Sequence, residues 1–426
     1  MPMRRLLALL SVALLLAACS DGAGGPSGAT TPELGGAATP GPTAAPAPTP
    51  TGTAAPEDSA SPGSPEPPES PEPPESPAAP ADRTQSATTP ATPAPAAPGP
   101  VEIVATDIAT GLEAPWDVAF TPDDRVFVTE RDSGRLLELG PDGAVTEVQR
   151  LDVEPAGEGG LLGLAVSPDY ADDGLLYAYL TGQEDNRIVR FRPGEDPEAI
   201  LTGIPRSAIH NGGRIAFGPD GLLYAGTGDA GQESNAQDPG SLAGKILRVS
   251  PDGGVPGDNP LPGSPVYSLG HRNVQGLAWD AEGRLYATEF GPDRDDEINR
   301  IEPGSNYGWP EVTGAAGRAG FVDPILVRQP PEAAWSGATV PLDSAIPQWD
   351  GGLVVASLRG ARLWHVPLTP DGAAGEPDDV LVDAYGRLRA AVSAPDGSVW
   401  VLTNNRDGRG QPAEGDDRII RLGPPA

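Results

Sequence analysis

Gly218-Pro219-Asp220-Gly221-Leu222-Leu223-Tyr224 is the stretch on which the fold turns. Proline presets φ for a tight turn, and the glycine that follows accepts the left-handed backbone closing it. Leu222-Leu223-Tyr224 then reads as a strand that is apolar on both faces. A second strand follows at Lys245-Ile246-Leu247-Arg248-Val249, where charged and apolar side chains alternate as they would at a sheet edge.

The same unit recurs along the chain. Thr121-Pro122-Asp123-Asp124 precedes Val126-Phe127-Val128 and Arg135-Leu136-Leu137-Glu138-Leu139. Ser167-Pro168-Asp169 precedes Leu175-Leu176-Tyr177 and Arg187-Ile188-Val189-Arg190-Phe191. Asp280-Ala281-Glu282-Gly283 precedes Leu285-Tyr286-Ala287 and Glu297-Ile298-Asn299-Arg300-Ile301. Trp349-Asp350-Gly351-Gly352 precedes Leu353-Val354-Val355 and Arg362-Leu363-Trp364-His365-Val366. Ala394-Pro395-Asp396-Gly397 precedes Val399-Trp400-Val401 and Arg418-Ile419-Ile420-Arg421-Leu422.

Six units spaced roughly 45 to 70 residues apart fit the blades of a β-propeller with loops of varied length. No segment shows sustained helical periodicity with caps, and two stacked sandwiches would not produce a sixfold pattern. We therefore expect an all-β chain, with a six-bladed β-propeller over residues 101–426. The last strand lies a few residues from the C-terminus, so Val101-Glu102-Ile103-Val104 is expected to help close the ring with the final blade.

Residues 1–18 read as a lipoprotein signal peptide. Arg4 and Arg5 supply the positive start, and the apolar run Leu6 to Ala18 is too short for a mature membrane span. Leu16-Ala17-Ala18-Cys19 resembles a bacterial lipobox, so acyl chains on Cys19 are the expected anchor. Cys19 is the only cysteine, which excludes an intramolecular disulfide and a thiolate metal cluster. Residues 19–100 are rich in Pro, Ala and Thr with almost no large apolar side chains, and read as a lipid-anchored disordered linker. The expected location is outside the cytoplasm, on the outer face of the membrane or in the cell envelope. A formal charge of −32 argues against nucleic acid and anionic lipid surfaces as partners.

The loops leading into the inner strands carry an unusual polar set. They hold Gly157-Glu158-Gly159-Gly160 before the second blade, His210-Asn211-Gly212-Gly213 before the third and Gly270-His271-Arg272-Asn273 before the fourth. Arg387-Leu388-Arg389 stands before the sixth, and Gly226-Thr227-Gly228-Asp229-Ala230-Gly231 lies between strands of the third. A propeller would bring these loops to its central mouth. His210, one of three histidines, would be presented there as a candidate general base, the role imidazole most often fills in catalysis. A second cluster runs from Glu289-Phe290-Gly291-Pro292 to Asp295-Asp296-Glu297, with Asn306-Tyr307-Gly308-Trp309-Pro310 beyond it. Its oxygen-rich composition suits Ca²⁺, although its spacing is not that of an EF-hand.

Together with Ala114-Pro115-Trp116 and Gly270 to Gly276, these motifs resemble the soluble aldose sugar dehydrogenases, also called the glucose/sorbosone dehydrogenase family. The resemblance spans about Val104 to Leu422 and implies a quinoprotein that uses pyrroloquinoline quinone and Ca²⁺. It implies His210 as the base for the sugar's anomeric hydroxyl, with Asp229 beside it. Arg272 and Asn273 would bind the quinone carbonyls, and Glu158, where some relatives have Gln, would contact the cofactor's edge. Arg359, Arg387 and Arg389 would pair with its carboxylates. Gly291 and Pro292 carbonyls would hold the cofactor's Ca²⁺, and Glu297 and Tyr307 match a further Ca²⁺ site of some members.

Two positions depart from the family pattern. Trp335-Ser336-Gly337 stands where relatives show Pro-Ser-Gly, which changes the expected pocket wall of the fifth blade. Arg359 replaces the Lys of the best-known branch, keeping charge with different geometry. The implied partners are an aldose substrate and a separate electron acceptor. Two other classes share the fold: a metal-dependent lactonase, which needs no arginine cluster, and a binding module without chemistry.

Overall fold

Each turn of the repeat joins the first two strands of a four-stranded antiparallel sheet in a computed structural model that describes residues 99–425. The signal peptide and lipid anchor expected over Met1–Cys19, and nearly all of the linker, lie outside the described residues. In the third blade Ile215–Phe217 pairs with Leu223–Gly226, then Lys245–Val249, then Val266–Leu269. Six such sheets make up the propeller.

The first strands are Pro115–Phe120, Leu161–Val166, Ile215–Phe217, Val274–Trp279, Trp335–Thr339 and Leu388–Ser393. They touch one another in that order and the last touches the first, so they wall a closed ring. Closure comes from Val104–Ala109, which pairs with Ile419–Gly423 as the outer strand of the sixth blade. The expected ring closure is met, by residues slightly downstream of Val101-Val104. Helix is confined to Tyr170–Asp173, Ser234–Gln237 and a 3-10 turn at Pro347–Trp349 among the described residues.

One expectation is corrected. The charge-alternating second strand of each repeat is not the sheet edge but the third of four strands. The true outer strands, such as Val145–Arg150 and Glu198–Ile204, are largely exposed and carry little apolar signal. Alternating charge survives in the third strand because its charges find cross-strand partners: Arg125 Nε lies 2.8 Å from Glu138, and Arg190 Nε lies 2.9 Å from Glu198. Lys245 is fully buried and donates to the carbonyls of Asn235, Ala236 and Ala243.

Apolar side chains fill the spaces between blades, as where Trp116, Leu162, Tyr177, Tyr179, Ile215 and Leu247 pack together. Trp335 belongs to this interior. It is fully buried and meets Trp364 edge-on at 6.4 Å, so the indole is no part of a pocket wall.

Five of the six inner strands carry a register shift near their mouth end, at Pro115/Asp117, Leu161/Leu164, Val274/Gly276, Trp335/Ala338 and Leu388/Ala390. A bulge re-aims the extra residue. Here the shifts span Trp116, Gln275, Ser336 and Arg389, which meet Arg214 in a buried polar cluster. Arg389 Nη1 donates to Gln275 Oε1 at 2.7 Å, Ser336 Oγ donates to the same oxygen at 3.0 Å, and Arg214 Nε donates to the Gln275 carbonyl at 3.0 Å. Arg214 also pairs with Asp117 and lies 4.1 Å from the Trp116 ring centroid.

Candidate active site

His210 leaves the second blade in a left-handed conformation, with φ of +56°. Such a backbone is strained for a residue with a side chain, and neighbouring contacts must hold it. Glu158 Oε2 accepts from the His210 N–H at 2.9 Å, and the Ala230 N–H donates to the His210 carbonyl at 3.1 Å. Gly228 makes room for that carbonyl: a Cβ there would stand 2.0 Å from it.

His210 Nδ1 lies 2.7 Å from Asp229 Oδ1. Asp229 also accepts from the Gly231 N–H at 2.7 Å and, through Oδ2, from Trp309 Nε1 at 2.9 Å. Burial pushes the Asp229 carboxyl up, but the His210 imidazole, Gly231 and Trp309 outweigh it and hold the group below the usual carboxylate range. An ionised carboxylate only accepts, so the network assigns the imidazole proton to Nδ1 and leaves Nε2 as the basic nitrogen.

His210 opens onto a cavity of about 280 Å³. Glu158, Arg272, Gly291, Pro292, Arg359 and Arg387 line it as well, so seven of the residues singled out in the sequence converge there. Asp229 and Asn273 stand behind this wall, both fully buried. Asn273 Oδ1 accepts from the Gly212 N–H at 2.9 Å, while its Nδ2 is buried without a partner. Arg272 donates from Nη1 to the Phe290 carbonyl at 3.1 Å, and its Nε is likewise buried and unpartnered. Arg389 sits in the axial cluster with Gln275 and is not among the residues lining the cavity.

Glu297 and Tyr307 meet in a second, tiny space of about 10 Å³, bordered by Arg272, Glu289, Gly291 and Trp309. Burial and the neighbouring Glu289 carboxylate push Glu297 up to about 8. Its Oε1 accepts from the Gly314 N–H at 2.6 Å, and the Tyr307 hydroxyl donates to the Arg300 carbonyl at 2.7 Å.

Asp296, which the acidic cluster contained without an individual role, and Arg409, which did not stand out in the sequence, also line the main cavity. Burial pushes the Asp296 carboxyl up to about 6, against bonds from the Ala334 and Gly291 N–H groups. Arg409 lies on the long loop between Val399–Thr403 and Ile419–Gly423. The only sequence signal for it is topological: a strand paired with the start of the sixth inner strand must deliver its following loop to the mouth. The fifth blade's wall consists of Pro330, Ala334, Leu358 and Arg359 instead of Trp335.

The fold is a six-bladed β-propeller with a polar cavity at its mouth, and comparison with known proteins places it in the dehydrogenase class. The Glucose / Sorbosone dehydrogenase family model matches residues 112–420, and the chain belongs to that family. It is similar to the aldose sugar dehydrogenase of Streptomyces coelicolor, solved in its PQQ-bound form, at 47% identity and a TM-score of 0.71, over 76% of this chain and 99% of that one. Quinoprotein glucose dehydrogenase B of Acinetobacter calcoaceticus is 28% identical over 403 residues, 70% of this chain and 84% of the relative. An uncharacterized protein of Synechocystis is 32% identical over 356 residues, 72% of this chain and 85% of the relative.

Proposed function

We propose that this protein is an aldose sugar dehydrogenase that uses pyrroloquinoline quinone and Ca²⁺ to convert the anomeric alcohol of aldoses to a lactone. The observation that carries this reading is a His210–Asp229 pair opening onto the same cavity as Arg272, Arg359, Arg387 and Arg409. The residues fit the cofactor. It carries three carboxylates, which suit an arginine-rich mouth. The buried, unpartnered Arg272 Nε and Asn273 Nδ2 are donors of the kind its quinone carbonyls accept. Among the described residues no three His, Cys, Asp or Glu side chains converge on a metal site. A cation near Gly291 and Pro292 would therefore draw on carbonyl and cofactor oxygens, as Ca²⁺ readily does.

When bound, the quinone supplies a two-electron acceptor and Ca²⁺ supplies Lewis-acid polarisation. The chain's own residues do the rest. His210 Nε2 takes the proton of the anomeric hydroxyl, and Asp229 fixes the tautomer and stabilises the imidazolium that forms. Arg272 contributes positive charge at the cavity wall. Trp309 holds Asp229 in place from behind.

In this reading Met1–Cys19 exports the chain and anchors it through lipid on Cys19, the linker over residues 19–100 spaces it from the membrane, and a separate acceptor takes the electrons. The test is reconstitution. Purified protein freed of cofactor should reduce a dye in the presence of sugar only after both pyrroloquinoline quinone and Ca²⁺ are added. A screen of monosaccharides and disaccharides identifies the substrate; sugar-dependent reduction without added quinone, or none with it across that screen, would overturn the proposal.

A further inference from the structure

Glu158 places a carboxylate in the wall of a cavity proposed to hold a tricarboxylate, which by itself is repulsive. The same side chain is needed where it is. Its Oε2 accepts from the His210 N–H at 2.9 Å and so pins the base's left-handed backbone. Its Oε1 lies 3.0 Å from Nη2 of Arg409, which reaches across from the sixth blade.

The Arg409 loop is itself fastened. Asp407 Oδ1 accepts from the Arg409 and Gly410 N–H groups at 2.8 and 3.2 Å, and its Oδ2 receives Arg387 Nε and Nη2 at 3.0 and 2.8 Å. Asn404 Nδ2 adds a further bond to Asp407 at 3.0 Å. The Arg409 guanidinium is thus delivered to Glu158 by a braced segment, although the side chain remains 56% exposed.

We infer that Arg409 is a cofactor-positioning residue that neutralises Glu158, so that one carboxylate can brace His210 without repelling an anionic cofactor. The inference rests on the function proposed above. It predicts a specific coupling: Arg409 is required only while position 158 carries a charge. Gln at 158 keeps an oxygen for the His210 N–H and removes the charge.

The experiment is a titration of cofactor-free protein with pyrroloquinoline quinone and Ca²⁺, followed by intrinsic fluorescence, which measures binding without turnover. Arg409→Ala should bind the quinone about tenfold more weakly, the size of effect expected of an unpaired charge beside a charged ligand. Glu158→Gln combined with Arg409→Ala should return to within about threefold of the unmodified protein, a non-additivity that marks direct coupling. Equal binding by Arg409→Ala and the unmodified protein overturns the inference, and so does a double variant as weak as Arg409→Ala. Failure of the unmodified protein to bind the quinone overturns the proposed function, and this inference with it. Arg409 is exposed, so loss of fold is not expected, and thermal melting of each cofactor-free variant checks that directly.

Discussion

His210 Nδ1 and Asp229 Oδ1 lie 2.7 Å apart, with Asp229 held from its far side by the Trp309 indole. The histidine comes from the loop entering the third blade and the carboxylate from the loop between that blade's second and third strands, while the tryptophan stands on the loop between the third and fourth strands of the fourth blade. The pair therefore makes one blade's chemistry depend on its neighbour's position. His210→Ala should lower kcat by about a hundred- to ten-thousandfold, the range for loss of a general base. Asp229→Asn should also lower kcat, because the amide carries no charge to stabilise the imidazolium and must turn its NH2 either toward His210 Nδ1 and the Gly231 N–H or toward Trp309 Nε1. Steady-state kinetics on reconstituted protein measures both, and full activity of His210→Ala would remove it from the base's role.

Gly228 tests the backbone behind the base. A Cβ at 228 would stand 2.0 Å from the His210 carbonyl, so the loop must move to admit it. Gly228→Ala should keep the propeller folded while kcat falls about a hundredfold, as expected for displacement of a reacting group by about an ångström. Circular dichroism and kinetics on the same preparation separate the two effects.

Arg214 and Asp117 test the axial cluster. Both are buried, and burial pushes the Asp117 carboxyl up while Arg214 pulls it down. Arg214→Met would leave an uncompensated buried carboxylate and should cost about 3 to 5 kcal/mol of stability. Adding Asp117→Asn should recover part of that loss. Denaturant unfolding of the single and double variants gives the answer.

Asp229 and Asp407 give the pH dependence a sign. Burial pushes the Asp407 carboxyl up, but Arg387 and the Arg409 N–H outweigh it and hold it below the ordinary value of 3.8. Asp229 is lowered likewise. The unfolded chain then binds more protons than the folded one as pH drops through the ordinary carboxylate range. The stabilisation is complete above that range and is lost as pH falls through the depressed folded values. The contribution of these two groups to the melting temperature should therefore fall on acidification from pH 5 to pH 3, about where carboxylates titrate. Asp407→Asn should melt lower at pH 7 and lose less on acidification. Parallel curves for the two proteins would contradict this account.

Much of the fold was legible along the chain because its signals are local. Tight turns rich in Pro, Asp and Gly and doubly apolar strands report on a few neighbouring residues, and a turn and a strand of this kind recur with each blade. The outer strands were not legible: Val145–Arg150 faces solvent, so burial imposes little pattern on it. Trp335 misled for a related reason. A tryptophan in a motif position looks like a pocket wall, yet the bulge between Trp335 and Ala338 leaves its indole against Trp364.

The sequence by itself determined that six units close into a ring and that His210, Arg272 and Arg387 stand on mouth-side loops. Both follow from strand period and turn chemistry, which act over a few residues. Only the tertiary structure decided which polar groups face the cavity and which pair beneath it. Arg389 sits in the axial cluster two positions from Arg387, which lines the cavity, because a bulge intervenes between Leu388 and Ala390. Glu158 meets Arg409 across 251 positions of chain, a distance over which no local pattern carries information. Closing the ring brings those two charges together.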